Sequence, residues 1–145
     1  NILIPSAALR HPFKKQVEAS GYSELNAAGA IACRAAYGHG EEWYQAVLKY
    51  IEGNIDYMKE YIDSHIPKVK MNKPEGTYLV WLDFRGLELT NSRLEELIVK
   101  KAGLWLDEGS IFGDAGAGFQ RVNTACPRAV LEQALRRLEE AVNNY

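Results

Sequence analysis

The chain has 145 residues, a formal net charge of −2, and 47% hydrophobic and 25% charged residues, the profile of a soluble globular protein long enough to bury its own core. That balance leaves no basic footprint for nucleic acid and no polybasic membrane signal, and no apolar run nears the roughly 20 residues a membrane-spanning helix needs. Cys33 and Cys126 lie far apart without paired spacing, which gives neither a zinc motif nor a disulfide framework and suits a reducing cytoplasm. The sequence starts at Asn1, inside what reads as a buried strand, Ile2-Leu3-Ile4, stopped by Pro5, and so reads as a piece of a longer chain. Residues 6–20 are helix-like but interrupted at Pro12, and Gly21-Tyr22-Ser23 is a break. The run "ELNAAGAIACRAAY", 24–37, favours a closely packed helix, and Gly38-His39-Gly40 stops it.

The longest element follows. Trp43, Val47, Ile51, Ile55, Met58, Ile62 and Ile66 recur at spacings of three and four, one apolar stripe on a helix from Glu41 to Ile66, on the order of 39 Å long. Pro67 ends it, and the period then changes. "KVKM" is a short strand. "TYLVWLDF", 77–84, is apolar on both faces and predicts a strand central in a sheet. Ser92 with Glu95 reads as a capping box for a helix through Lys101, with Gly103 placed to end it. "LWLD" is a strand, "DEGSIFGDAGAG" a flexible glycine loop, and "FQRVNTA" the last strand. Pro127 stands at the first helical position of a closing helix with Val130, Leu131, Ala134, Leu135, Leu138 and Val142 inward. From 67 onward the order is β, β, α, β, β, α, a small α/β sandwich with helices on one face.

Three sets of residues could carry chemistry. His11, His39 and His65 share no ligand spacing with each other or with a carboxylate cluster, so no metal site is expected. Cys126, at a helix N-terminus, could have a lowered pKa, but no histidine lies near it in sequence and a small residue before Pro127 explains it equally well. The glycine loop lacks the pattern of a dinucleotide or phosphate loop and leads into a strand. That strand carries Arg121, whose guanidinium is a planar fork matched to a carboxylate. It is either a solvated strand arginine or one held toward an anion.

The segments "YGHGEEWYQAVLKYIEGNIDYMKEYI", "KPEGTYLVWLDFRGL", "GLWLDEGSIFG" and above all "GFQRVNTACPRAVLEQALRRL" resemble the C-terminal part of fold-type I pyridoxal-phosphate enzymes of the class I/II aminotransferase type, in particular the cystathionine β-lyase (carbon–sulfur lyase) subgroup. The resemblance runs through nearly the whole chain in order. It implies an α/β fold in which residues 1–40 are the tail of the large cofactor domain, 41–66 the linking helix and 67–145 the small C-terminal domain. It implies a β-elimination of cystathionine- or cysteine-type amino acids to thiol, pyruvate and ammonia, in a cytoplasmic homodimer with pyridoxal 5′-phosphate as cofactor. The family arginine that clamps the substrate α-carboxylate aligns with Arg121, and Asn26, with its neighbours 23–27, falls near the family's dimer interface. The family's Schiff-base lysine, in a Ser-x-x-Lys-type segment, has no counterpart among lysines 14, 15, 49, 59, 68, 70, 73, 100 and 101. The catalytic set therefore contains no residue of this chain, and the chain alone is expected to be inactive. An aminotransferase would use the same arginine, and a non-catalytic α/β interaction module has the same element order, so both stay open.

Overall fold

The structure is a computed structural model that describes residues 2–21 and 26–145. Its residues fall into two compact units, 1–44 and 45–145. The N-terminal unit is helical. Residues 2–6 form no strand, and Leu3 is 91% exposed, contrary to the buried strand expected of Ile2-Leu3-Ile4. A strand needs a neighbour for its N–H and C=O groups, and the described residues of this unit offer none. Helix α1, Ala7–Ala19, runs through Pro12 without the expected interruption. The missing proline N–H leaves only the carbonyl of Ala8 unserved, and Ala8 is exposed to water. The side chain of Arg10 reaches back and donates to the carbonyls of Ile4 and Pro5 at 2.8 and 2.9 Å. Helix α2, Ala27–His39, is the expected Ala-rich helix, and Gly40 caps its end.

Helix α3, Glu41–His65, begins immediately after Gly40, and the division between the units falls within it. Its stripe is buried at Ile55, Met58 and Ile62 and continues into Ile66, while Trp43 at its start is exposed. The C-terminal unit places that stripe against a four-stranded antiparallel sheet. Strands β1 (Lys70–Met71), β2 (Leu79–Asp83), β3 (Asp107–Glu108) and β4 (Phe119–Asn123) lie in the order β1-β2-β4-β3, so β2 is interior, as its apolar run predicts. Strand alternation sorts its residues: Val80 and Leu82 face the core, while Trp81 faces the other way and is partly exposed. The core also takes Phe84, Leu94, Leu97, Ile98, Leu131, Leu135, Leu138 and Val142.

Two helix ends differ from the reading of the sequence. Helix α4, Asn91–Glu95, is capped by Thr90 and not by Ser92, which lies inside it: Thr90 has extended backbone and its hydroxyl accepts from Arg93 N–H at 3.4 Å. The helix then widens to π-type turns over Glu96–Lys101 and ends at Gly103, whose φ of +63° suits a residue without Cβ. Helix α5, Arg128–Asn143, starts one residue later than expected. Pro127 is its cap, with ψ 139°, and its carbonyl accepts the first helical bonds from Val130 and Leu131. Val130 points to solvent and leaves the stripe to Leu131, Leu135, Leu138 and Val142.

Candidate functional site

The sheet has one face packed on helices. The other carries a row of polar and aromatic groups. Antiparallel register sets Asp107 beside Arg121 and Arg121 beside Trp81, so β3, β4 and β2 each contribute one residue to the row. Asp107 Oδ2 accepts from both Arg121 Nε (3.1 Å) and Nη2 (2.7 Å). The guanidinium carbon lies 4.5 Å from the centre of the Phe112 ring, in the geometry of a cation–π contact. Phe112 in turn meets Trp81 edge to face at 5.3 Å, and Trp81 meets Phe119 at 6.4 Å. Arg85 covers the Phe119 ring at 4.7 Å and is held by Asp83 through Nε and Nη2. The Arg85 side chain holds the Asp83 carboxyl below the usual carboxylate range.

Phe112 belongs to the glycine loop, and the loop is less free than its composition suggests. Two short 3₁₀ turns, Gly109–Phe112 and Asp114–Gly116, fold it back on itself. A Cβ on Gly109 would collide with the carbonyl oxygen of Gly116, and one on Gly116 with that of Gly109. The two glycines are there because two backbones touch, and the contact sets the ring beneath Arg121. The flexible loop of the sequence reading is a closed one.

Behind β4, the chain "NTACPR" is fixed from below. Asn54 is wholly buried on α3 and donates through Nδ2 to the carbonyls of Thr124 and Cys126, both at 2.9 Å. Its Oδ1 accepts from Arg128 Nε at 2.8 Å, and Arg128 stacks on Tyr57 at 4.4 Å. In the sequence, the only mark of Asn54 is that it is a polar residue within an apolar stripe. Cys126 is half-buried, and burial pushes its thiol up, which is the reverse of an activated nucleophile. Among the described residues no group of three or more His, Cys, Asp or Glu side chains could hold a metal ion, and no helix is long and apolar enough to cross a membrane. Asn26 caps α2, its side chain accepting from Gly29 N–H at 2.7 Å. Ser23, Glu24 and Leu25 lie outside the described residues.

The side chains gathered around Arg121 do not amount to a cofactor site by themselves, because no lysine is among those described; of the lysines, Lys59 is paired with Asp63 and Lys73 with Asp56. No family model matches the chain. Individual proteins do. The chain is 36% identical over 142 residues to cystathionine β-lyase PatB of Bacillus subtilis, covering 98% of this chain and 37% of that protein. Its fold superposes with a TM-score of 0.94 on cystalysin of Treponema denticola, a structure containing pyridoxal 5′-phosphate, at 35% identity over 99% of this chain and 36% of that one. The pyridoxal-phosphate-bound C–S lyase of Staphylococcus hominis matches with a TM-score of 0.82 at 26% identity, covering 98% of this chain and 37% of that one. In sequence and fold the chain matches a segment of fold-type I pyridoxal-phosphate enzymes. The relatives it matches in sequence include cystathionine β-lyases, and it spans a little over a third of the length of those it matches.

Proposed function

We propose that the chain is the C-terminal part of a pyridoxal-phosphate-dependent carbon–sulfur β-lyase, and that Arg121 binds the α-carboxylate of a cystathionine- or cysteine-type amino acid. The observation that carries the reading is Arg121 itself: a guanidinium gripped on one edge, backed by an aromatic ring, in a chain that matches carbon–sulfur lyases along nearly its whole length. A bidentate arginine–carboxylate pair fixes both the position and the plane of the substrate's α-carbon. The cofactor, when bound, supplies the electron sink for loss of the α-proton; this chain's contribution is orientation. The same reading assigns residues 1–40 to the large domain, 41–66 to the linking helix and 67–145 to the small domain. It places the protein in the cytoplasm as a homodimer, with Asn26 near the partner subunit.

The test is made on the full-length enzyme. Pyruvate released from cystathionine, with no exchange against a keto acid, supports the lyase; exchange without pyruvate makes the protein an aminotransferase. Arg121→Lys is expected to lower kcat/KM roughly ten- to hundredfold, since one ammonium cannot reproduce two parallel charge-assisted bonds. An unchanged value removes the clamp.

A further inference from the structure

We propose that Asp107 is a positioning residue for the Arg121 clamp, holding the guanidinium by its side edge so that its end edge is presented to the substrate carboxylate. The inference rests on the reading of Arg121 given above. A guanidinium has two carboxylate-binding edges, the side edge of Nε and Nη2 and the end edge of Nη1 and Nη2. One oxygen of Asp107 takes both side-edge donors. The Phe112 ring lies against one flat face. What is left is the end edge, with Nη1 holding no partner among the described residues, and the opposite face.

Stability does not account for this pair. It bridges side chains that are 26% and 48% exposed, and Asp107 sits on an edge strand of two residues. Exposed ion pairs contribute little, because solvent screens them and two long side chains must be held still. Orientation does account for it. An arginine free to turn about its side-chain bonds loses those rotamers each time it binds a carboxylate, and one already held does not. The cross-strand register of Asp107 with Arg121 and of Arg121 with Trp81 places the brace on one side of the arginine and the aromatic support on the other. The opposite possibility is that Asp107 competes with the substrate for the fork. The two possibilities predict changes of opposite sign.

In the full-length holoenzyme, Asp107→Ala is expected to lower kcat/KM for the amino-acid substrate on the order of tenfold, mainly as a raised KM, with thermal stability little changed. In an Arg121→Lys background the same substitution is expected to change kcat/KM less than twofold, since a lysine has no side edge to hold. A second readout needs no turnover. In the 145-residue chain itself, the Arg121 Nε–H is expected to give a protected NMR resonance that is lost in Asp107→Ala. A rise in kcat/KM, an unchanged value, a loss that persists in the Arg121→Lys background, or an Nε–H still protected without Asp107 overturns the proposal. If Arg121→Lys alone leaves kcat/KM unchanged, the clamp falls and this inference with it; if only the Asp107 arms fail, the clamp stands.

Discussion

Asn54 occupies a position on α3 where a leucine would continue the stripe between Ile51, Ile55 and Met58. It is buried and fully used, with two donors on the carbonyls of Thr124 and Cys126 and its oxygen on Arg128. Those carbonyls belong to the turn between β4 and α5, which no strand or helix ladder serves. Removing the amide strands them away from water. Asn54→Ala is expected to cost about 2–3 kcal/mol in denaturant unfolding, and Asn54→Leu no less, because apolar volume does not serve a buried carbonyl. A loss under about 0.5 kcal/mol, the size of an ordinary surface change, would show that the turn holds itself. Arg121 could be found from the sequence through the block around it, whereas Asp107 could not. Nothing in "LWLD" marks that aspartate, since its meaning comes from strands fourteen residues apart being set in register.

At the level of elements, periodicity was the dependable guide. The α3 stripe, the interior position of β2 and the closing helix α5 all follow from apolar spacing, because burial of one face decides them. Helix ends follow from local hydrogen bonds, which several nearby residues can supply. Thr90 takes the cap of α4 that a Ser-x-x-Glu pattern assigned to Ser92, and Pro127 serves as a cap one position earlier than the first helical turn. The glycine loop shows the same limit: four glycines in ten residues announce a special backbone without saying whether it is loose or locked. The contact between Gly109 and Gly116 says it is locked. Gly116→Ala is therefore expected to destabilise by about 1–3 kcal/mol, the range of an overpacked site, and to draw the Phe112 ring away from Arg121. Thermal unfolding measures the first effect, and an unaltered midpoint would mean the loop opens freely.

The contact between α3 and α5 has its own signature in pH. Tyr61 donates its hydroxyl to Glu139 at 2.5 Å, and its ring stacks on His65 at 4.2 Å. Burial first, and the Glu139 bond and charge second, push the Tyr61 hydroxyl up to about 12. An unfolded tyrosine titrates near about 10. The folded state thus holds the phenol proton more tightly than the unfolded state. The resulting stabilisation is complete below about pH 10 and is lost as pH rises toward about 12. Tyr61→Phe is expected to flatten the fall in stability across that window, and a base-side slope identical to the parent's would show that the hydroxyl plays no part.

The whole molecule is uneven. Residues 45–145 enclose the core in which Phe84, Leu82, Leu97 and Leu138 are fully buried, and every strand among the described residues belongs to that unit. Neither α1 nor α2 has a buried residue, and Ile2, Leu3, Leu9, Phe13, Ile31, Tyr37 and Trp43 are exposed. Each large apolar side chain left in water forgoes roughly 1.5–3 kcal/mol of burial, and apolar exposure on this scale favours association. In the proposed assignment residues 1–40 are part of the large domain, and these side chains, with Trp43 of the linking helix, pack on the rest of it. The 145-residue chain by itself is therefore expected to associate in a concentration-dependent way by light scattering. Truncation to residues 45–145 is expected to abolish that association while leaving the buried core intact. Hydrogen exchange supplies the contrast: amides of β2, in the interior of the sheet, exchange slowly, and those of α1 exchange far faster. A strictly monomeric chain in which residues 7–19 are as protected as residues 79–83 would mean that the N-terminal helices are stable alone, and the assignment of residues 1–40 to a large domain would lose its physical ground.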